Sequence, residues 1–186
     1  MAATVSHGDA ERLLESRGAH EIAHPGGLLL DHLRRTRDLL AACGASDETQ
    51  LAGLCHAAYG TDGFPASLLT LDERATLAAV IGATAEALVY RYASCDRKAT
   101  YRRLGTHPLV LTDRFTAEVV ELDPTAAGSF AAITIANELD VLTHAALTDA
   151  DREGILELFA GLRAYAPEVA DFALGSGHQS APRGPA

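Results

Sequence analysis

Apolar positions recur along this chain mostly at helical spacing, and the punctuation between them is glycine or a capping side chain. A short opening helix is predicted over about 9–16, stopped by Gly18. A second, over about 27–43, carries Leu29, Leu33, Thr36 and Leu40 on one stripe and ends at Gly44. Asp47, with Gln50 three residues on, reads as the cap of a third helix that runs through LAGLCHAAY to Gly60. Thr70 and Glu73 form a second capping pair before LDERATLAAVI, and Gly82 with Thr84 marks a stop and restart before AEALVYRYASC.

The segment PLVLTDRFTAEVVELDP breaks the rhythm. Its β-branched residues predict a β-hairpin over about 108–123 connected through DRFT, with a helix over 113–121 as the competing reading. Helical spacing returns from 126 to 146, then from a cap at Thr148 to 164, with one last short helical turn over 167–174. The tail GSGHQSAPRGPA is rich in Gly, Pro and Ser and reads as disordered over 175–186. The expectation is an all-α (mainly α) fold: one helical domain over 1–174 with a small hairpin.

Composition narrows the function classes. The 186 residues include 15 Lys+Arg against 25 Asp+Glu, a formal net charge of −10, which offers no footprint for a nucleic-acid backbone. No apolar run approaches the ~18–20 residues a membrane span needs, and the N-terminus lacks a basic stretch followed by an apolar core. Cys43, Cys55 and Cys95 are widely spaced and read as small buried hydrophobes in a reducing, cytoplasmic setting. No P-loop, G-x-G-x-x-G, G-x-S-x-G or H-E-x-x-H string is present. Arg91, Arg97, Arg102, Arg103 and Arg114 cluster in mid-chain, as a solvated surface or as partners for a substrate anion. The oligomeric state is left open.

The informative residues are polar ones on faces that should be core. His32 falls within the apolar stripe of the second helix, and His24 precedes that helix beside Pro25-Gly26-Gly27. His56 shares a face with Ala52 and Tyr59 on the third helix. On the long C-terminal helix Asn137, Asp140 and His144 follow at i, i+3 and i+7, as a solvent face or as a buried carboxylate met by a cation or strong donors. Asp96-Arg97 reads as a local ion pair or a phosphate-facing pair. His7 and His178 fall in expected tails, and His20 and His107 in irregular, solvated segments.

His32 and His56 on successive helices, with Asp140 on a later one, resemble the HD-domain superfamily of all-helical metalloproteins and its pattern H…HD…D. LAGLCHAAYGT, with HPGGLLLDHL before it and DR after it, is similar to a group of HD-like domains in which H-[AS]-x-Y-G-T stands in place of HD; no established activity attaches to that group. The resemblance implies a helical metal-dependent enzyme acting on a small molecule, a phosphohydrolase or a non-haem iron oxygenase. It implies metal ligands His32, His56 and Asp140, with His24 as a further one, and a divalent Fe, Mn or Zn ion. Ala57 stands where the pattern has aspartate, which leaves an open 2-His-1-carboxylate set. His56, Tyr59, Thr61, Asp96, Arg97 and Asn137 are the implied substrate-handling residues, with Arg97 or Arg114 steadying anions. The alternative is a metal-free HD-like protein whose His/Asp pocket serves acid–base catalysis or small-molecule binding.

Overall fold

The computed structural model describes residues 6–105 and 107–177. Among them the element order is α1 (His7–Ser16), β1 (Ala23–His24), β2 (Gly27–Leu28), α2 (Leu29–Ala42), α3 (Asp47–Leu54), α4 (Arg74–Ile81), α5 (Ala83–Ser94), α6 (Arg97–Tyr101), β3 (Val110–Thr112), β4 (Val119–Glu121), α7 (Pro124–His144), α8 (Asp149–Leu162) and α9 (Pro167–Gly177). The fold is mainly α, as the pattern predicts. No helix of the described residues is long and apolar enough to cross a membrane.

α7 is the central strut. Asp123 caps it by accepting from the amide of Ala126, and Pro124 occupies the first turn, where a missing N–H costs nothing. Ala126, Ala127, Phe130, Ala131, Ile133, Ile135, Ala136 and Leu139 are all buried, so the helix is covered on most of its circumference. α2, α3, α5, α8 and α9 all pack against it. Small side chains make these approaches close: a Cβ on Gly53 of α3 would lie 2.3 Å from Cδ1 of Leu40 on α2.

β3 and β4 form the expected hairpin, paired Val110↔Glu121, Leu111↔Val120 and Thr112↔Val119. Its connection is closed by Asp113, whose carboxylate accepts from the amides of Phe115 and Thr116. The helix over 113–121 does not form: residues 119–121 pair with 110–112 across the hairpin instead.

Several boundaries differ from the sequence expectation. Ser46, not Asp47, caps α3, accepting from the amide of Thr49, while Gln50 donates its side-chain amide to the carbonyl of Ala45. α2 begins at Leu29 because Gly27–Leu28 pairs with Ala23–His24 in a second, two-residue hairpin. Pro25 and Gly26 (φ +83°) supply its turn. His7 is the first residue of α1 and not part of a tail, and α9 continues to Gly177, past the expected end at 174. The remainder of the expected tail, His178 included, lies outside the described residues.

The end of α3 departs most. The helix stops at Leu54, and residues 55–59 wind on as turns in which Ala58 N–H donates to Cys55 O and Gly60 N–H to Ala57 O, each three residues back. His56 and Tyr59 therefore stand on this turn and not on the helix. Gly60 closes it at φ +69°, and a Cβ there would lie 3.0 Å from the carbonyl oxygen of Pro65. Gly60→Ala is expected to lower unfolding free energy by about 1–3 kcal/mol, read from the urea midpoint.

Candidate functional site

α2 and α7 place His32 and Asp140 face to face in the interior, fully buried and 4 % exposed respectively. Nδ1 of His32 donates to Oδ2 of Asp140 at 2.7 Å. The same carboxylate accepts two hydrogen bonds from Arg35, from Nε to Oδ1 at 2.6 Å and from a terminal nitrogen to Oδ2 at 2.9 Å. His144 lies one turn on from Asp140 with Nδ1 3.1 Å from Oδ1. Burial pushes the Asp140 carboxyl up, but the hydrogen bonds from His32 and Arg35 outweigh it and hold the group well below the usual carboxylate range.

The opposite edge of His32 meets two further side chains. Its Nε2 lies 3.0 Å from Oδ1 of Asn137 and 3.3 Å from Nε2 of His56. His56 is oriented by the end of α3: its Nδ1 donates at 2.7 Å to the carbonyl of Gly53, which otherwise accepts only a long bond of 3.5 Å from the backbone amide of His56. Burial, then the neighbouring His32, lowers the His56 pKa to about 3. His24, at the end of β1, stacks flat on His32 with ring centroids 4.0 Å apart, and Phe64 meets His24 edge-on. Burial, then His32, lowers the His24 pKa to about 4. The β1–β2 hairpin thus covers the centre, and it seats on α7 because Gly26 has no side chain: a Cβ there would lie 2.4 Å from that of His144.

Of the residues singled out in the sequence, His24, His32, His56, Asn137 and Asp140 are brought together, and the face carrying Asn137 and Asp140 is core and not solvent. Asp140 and His56 lie on opposite edges of His32, so the carboxylate does not face the space between the two imidazole Nε2 atoms. No group of three or more His, Cys, Asp or Glu placed to hold a metal occurs among the described residues. Tyr59 turns away and donates to Glu86 at 3.0 Å, beside the two hydrogen bonds from Arg74 to that glutamate. Thr61 accepts from the amide of Phe64.

Asp96 and Arg97 are not a pair. Asp96 caps α6 through the amide of Ala99, while Arg97 reaches Glu138 and the hydroxyl of Tyr92. Arg114 donates to the carbonyl of Ala93, so this part of the arginine cluster is engaged by the protein itself. The sequence pattern does not single out Glu138, Phe64 or Tyr92, and the one signal for Arg35 is its position three residues after His32.

Residues 13–97 match the domain of unknown function DUF6817. That span is just under half of the chain; it includes His24, His32, Arg35 and His56, and it ends before α7, which supplies Asn137 and Asp140. No curated protein and no solved structure matches the chain.

Two outcomes follow from this geometry. Asp140→Asn removes the charge that Arg35 and His32 share and is expected to cost about 2–4 kcal/mol in urea unfolding. His24 and His56 are neutral in the folded chain, with pKa values below the ~6.5 of an unfolded histidine. Between pH 6.5 and about 4 the unfolded state therefore binds more protons, and stability falls as pH falls. In chelator-treated protein the urea midpoint should drop from pH 7 to pH 5, and a His24→Gln, His56→Gln double variant should flatten that slope.

Proposed function

We propose that the chain is an HD-like protein of the cytoplasm that acts on a small molecule by proton transfer at the buried Asp140–His32–His56 relay. One observation carries this reading: His32 contacts a carboxylate at one ring nitrogen and two acceptor atoms at the other. The carbonyl of Gly53 can only accept, so His56 carries its proton on Nδ1 and turns a lone pair toward His32. Oδ1 of Asn137 turns a second lone pair to the same place. A proton on Nε2 of His32 satisfies both.

In this reading Asp140 fixes the ring of His32 and supports its charge, Arg35 keeps Asp140 ionised, and His56 receives or returns the proton. Arg35 supplies what the burial of Asp140 would otherwise oppose. The HD-like pattern of His32, His56 and Asp140 supports a small-molecule substrate, and the net charge of −10 speaks against nucleic acid.

A metal-dependent hydrolase or oxygenase is the second reading, favoured by one feature. Both imidazoles have Nδ1 tied to oxygen, and the two Nε2 atoms left over are 3.3 Å apart. Two nitrogens each ~2.0–2.1 Å from one zinc or iron ion stand at about that spacing. His32, His56 and the oxygen of Asn137 would hold Fe, Mn or Zn, with Asp140 orienting His32. The ion would supply Lewis acidity or a site for O2.

Metal analysis of protein purified without chelators, combined with imidazole 1H–15N spectra, decides between the two. The relay predicts well below one equivalent of metal and an exchange-protected N–H on Nε2 of His32. One equivalent of Fe, Mn or Zn that is lost in His56→Ala, with no N–H at that atom, replaces the relay by the metal centre.

A further inference from the structure

The oxygen of Asn137 points at His32 for a reason that lies outside the centre. A carboxamide has one donor end and one acceptor end of nearly the same shape, so its direction is set by its neighbours. On the far side of Asn137 stands Glu138, and Nδ2 of Asn137 donates to Oε1 of Glu138 at 3.0 Å. That same oxygen accepts from a terminal nitrogen of Arg97 at 3.0 Å.

Arg97 is itself held on three sides. Its guanidinium also donates to the hydroxyl of Tyr92 at 3.3 Å, and its backbone amide donates to Oδ2 of Asp62 at 2.9 Å. The carboxylate facing Asn137 is thus paired with a fixed cation and offers only acceptor atoms. The amide nitrogen must turn to Glu138, and the oxygen must turn to His32.

We propose that Glu138, clamped by Arg97, is a positioning residue that locks the Asn137 carboxamide with its oxygen facing the two histidines. The arrangement links α6, which begins at Arg97, to the interior of the bundle through three side chains in sequence. Without the clamp the amide could turn over and face the two histidines with Nδ2, removing an acceptor from the centre. What the inward oxygen does there rests on the relay reading; its direction does not.

The test reads the direction of the amide. In the parent protein, and in Glu138→Gln, which keeps an acceptor oxygen for Arg97 and Asn137, nuclear Overhauser contacts from the Asn137 Nδ2 protons should run to the Glu138 side. In Glu138→Met, of similar volume but without an acceptor, those contacts should be lost and replaced by contacts to the ring protons of His32 and His56. An unchanged pattern in Glu138→Met, or the same change in both variants, overturns the proposal. Neutron diffraction of the deuterated parent reads the direction with no substitution at all, and deuterium on the Asn137 atom facing His32 also overturns it. An inward oxygen beside a His32 that bears no proton on Nε2 supports the clamp while sinking the relay.

Discussion

The interior of this bundle is organised around one expensive group, the buried carboxylate of Asp140. A charge removed from water is tolerable only where donors surround it. Here they come from the facing helix: Arg35 and His32, both on α2. These bonds fix the relative register of α2 and α7. His32, held at one nitrogen by the carboxylate, has no rotational freedom left, and the placing of His56 and His24 is measured from its ring.

A second constraint is that polar anchors need apolar elements packed closely enough to reach one another. The alanines of α7 and Gly53 of α3 keep the helices near each other, which is how side chains more than a hundred positions apart in sequence come within hydrogen-bond reach. The carbonyl of Gly53 then does a second task, orienting His56 at the point where α3 gives way to turns. Packing and polar geometry share the same residues.

The helical class and the 110–121 hairpin were legible because period and turn chemistry are local properties. His32 and Asp140 were legible because an imidazole within an apolar stripe and a carboxylate among alanines each demand a partner. Arg35 was not, since an arginine on an amphipathic helix ordinarily reads as its solvent face. The end of α3 is not legible because Ala52 to Tyr59 keeps an apolar helical period while the backbone changes to three-residue turns, leaving only Gly53 and Gly60 as signals. Tyr59 and Thr61 were carried along by adjacency to His56, whereas their partners, Glu86 and Phe64, draw them into other contacts. Glu138 was hidden because its significance lies in what Arg97 does to it, and no single position records that.

The cover over His32 is a ladder of two residue pairs, Ala23↔Leu28 and His24↔Gly27, closed by a proline–glycine turn. Detaching it sacrifices little buried surface, whereas parting α2 from α7 would break the anchors of Asp140. Two opening motions of very different free energy therefore lead to the same histidines. The interior of the centre is tied to the bundle, while its cover is tied only to a hairpin of six residues. Of the two motions, only the parting of α2 from α7 breaks the hydrogen bonds that hold Asp140.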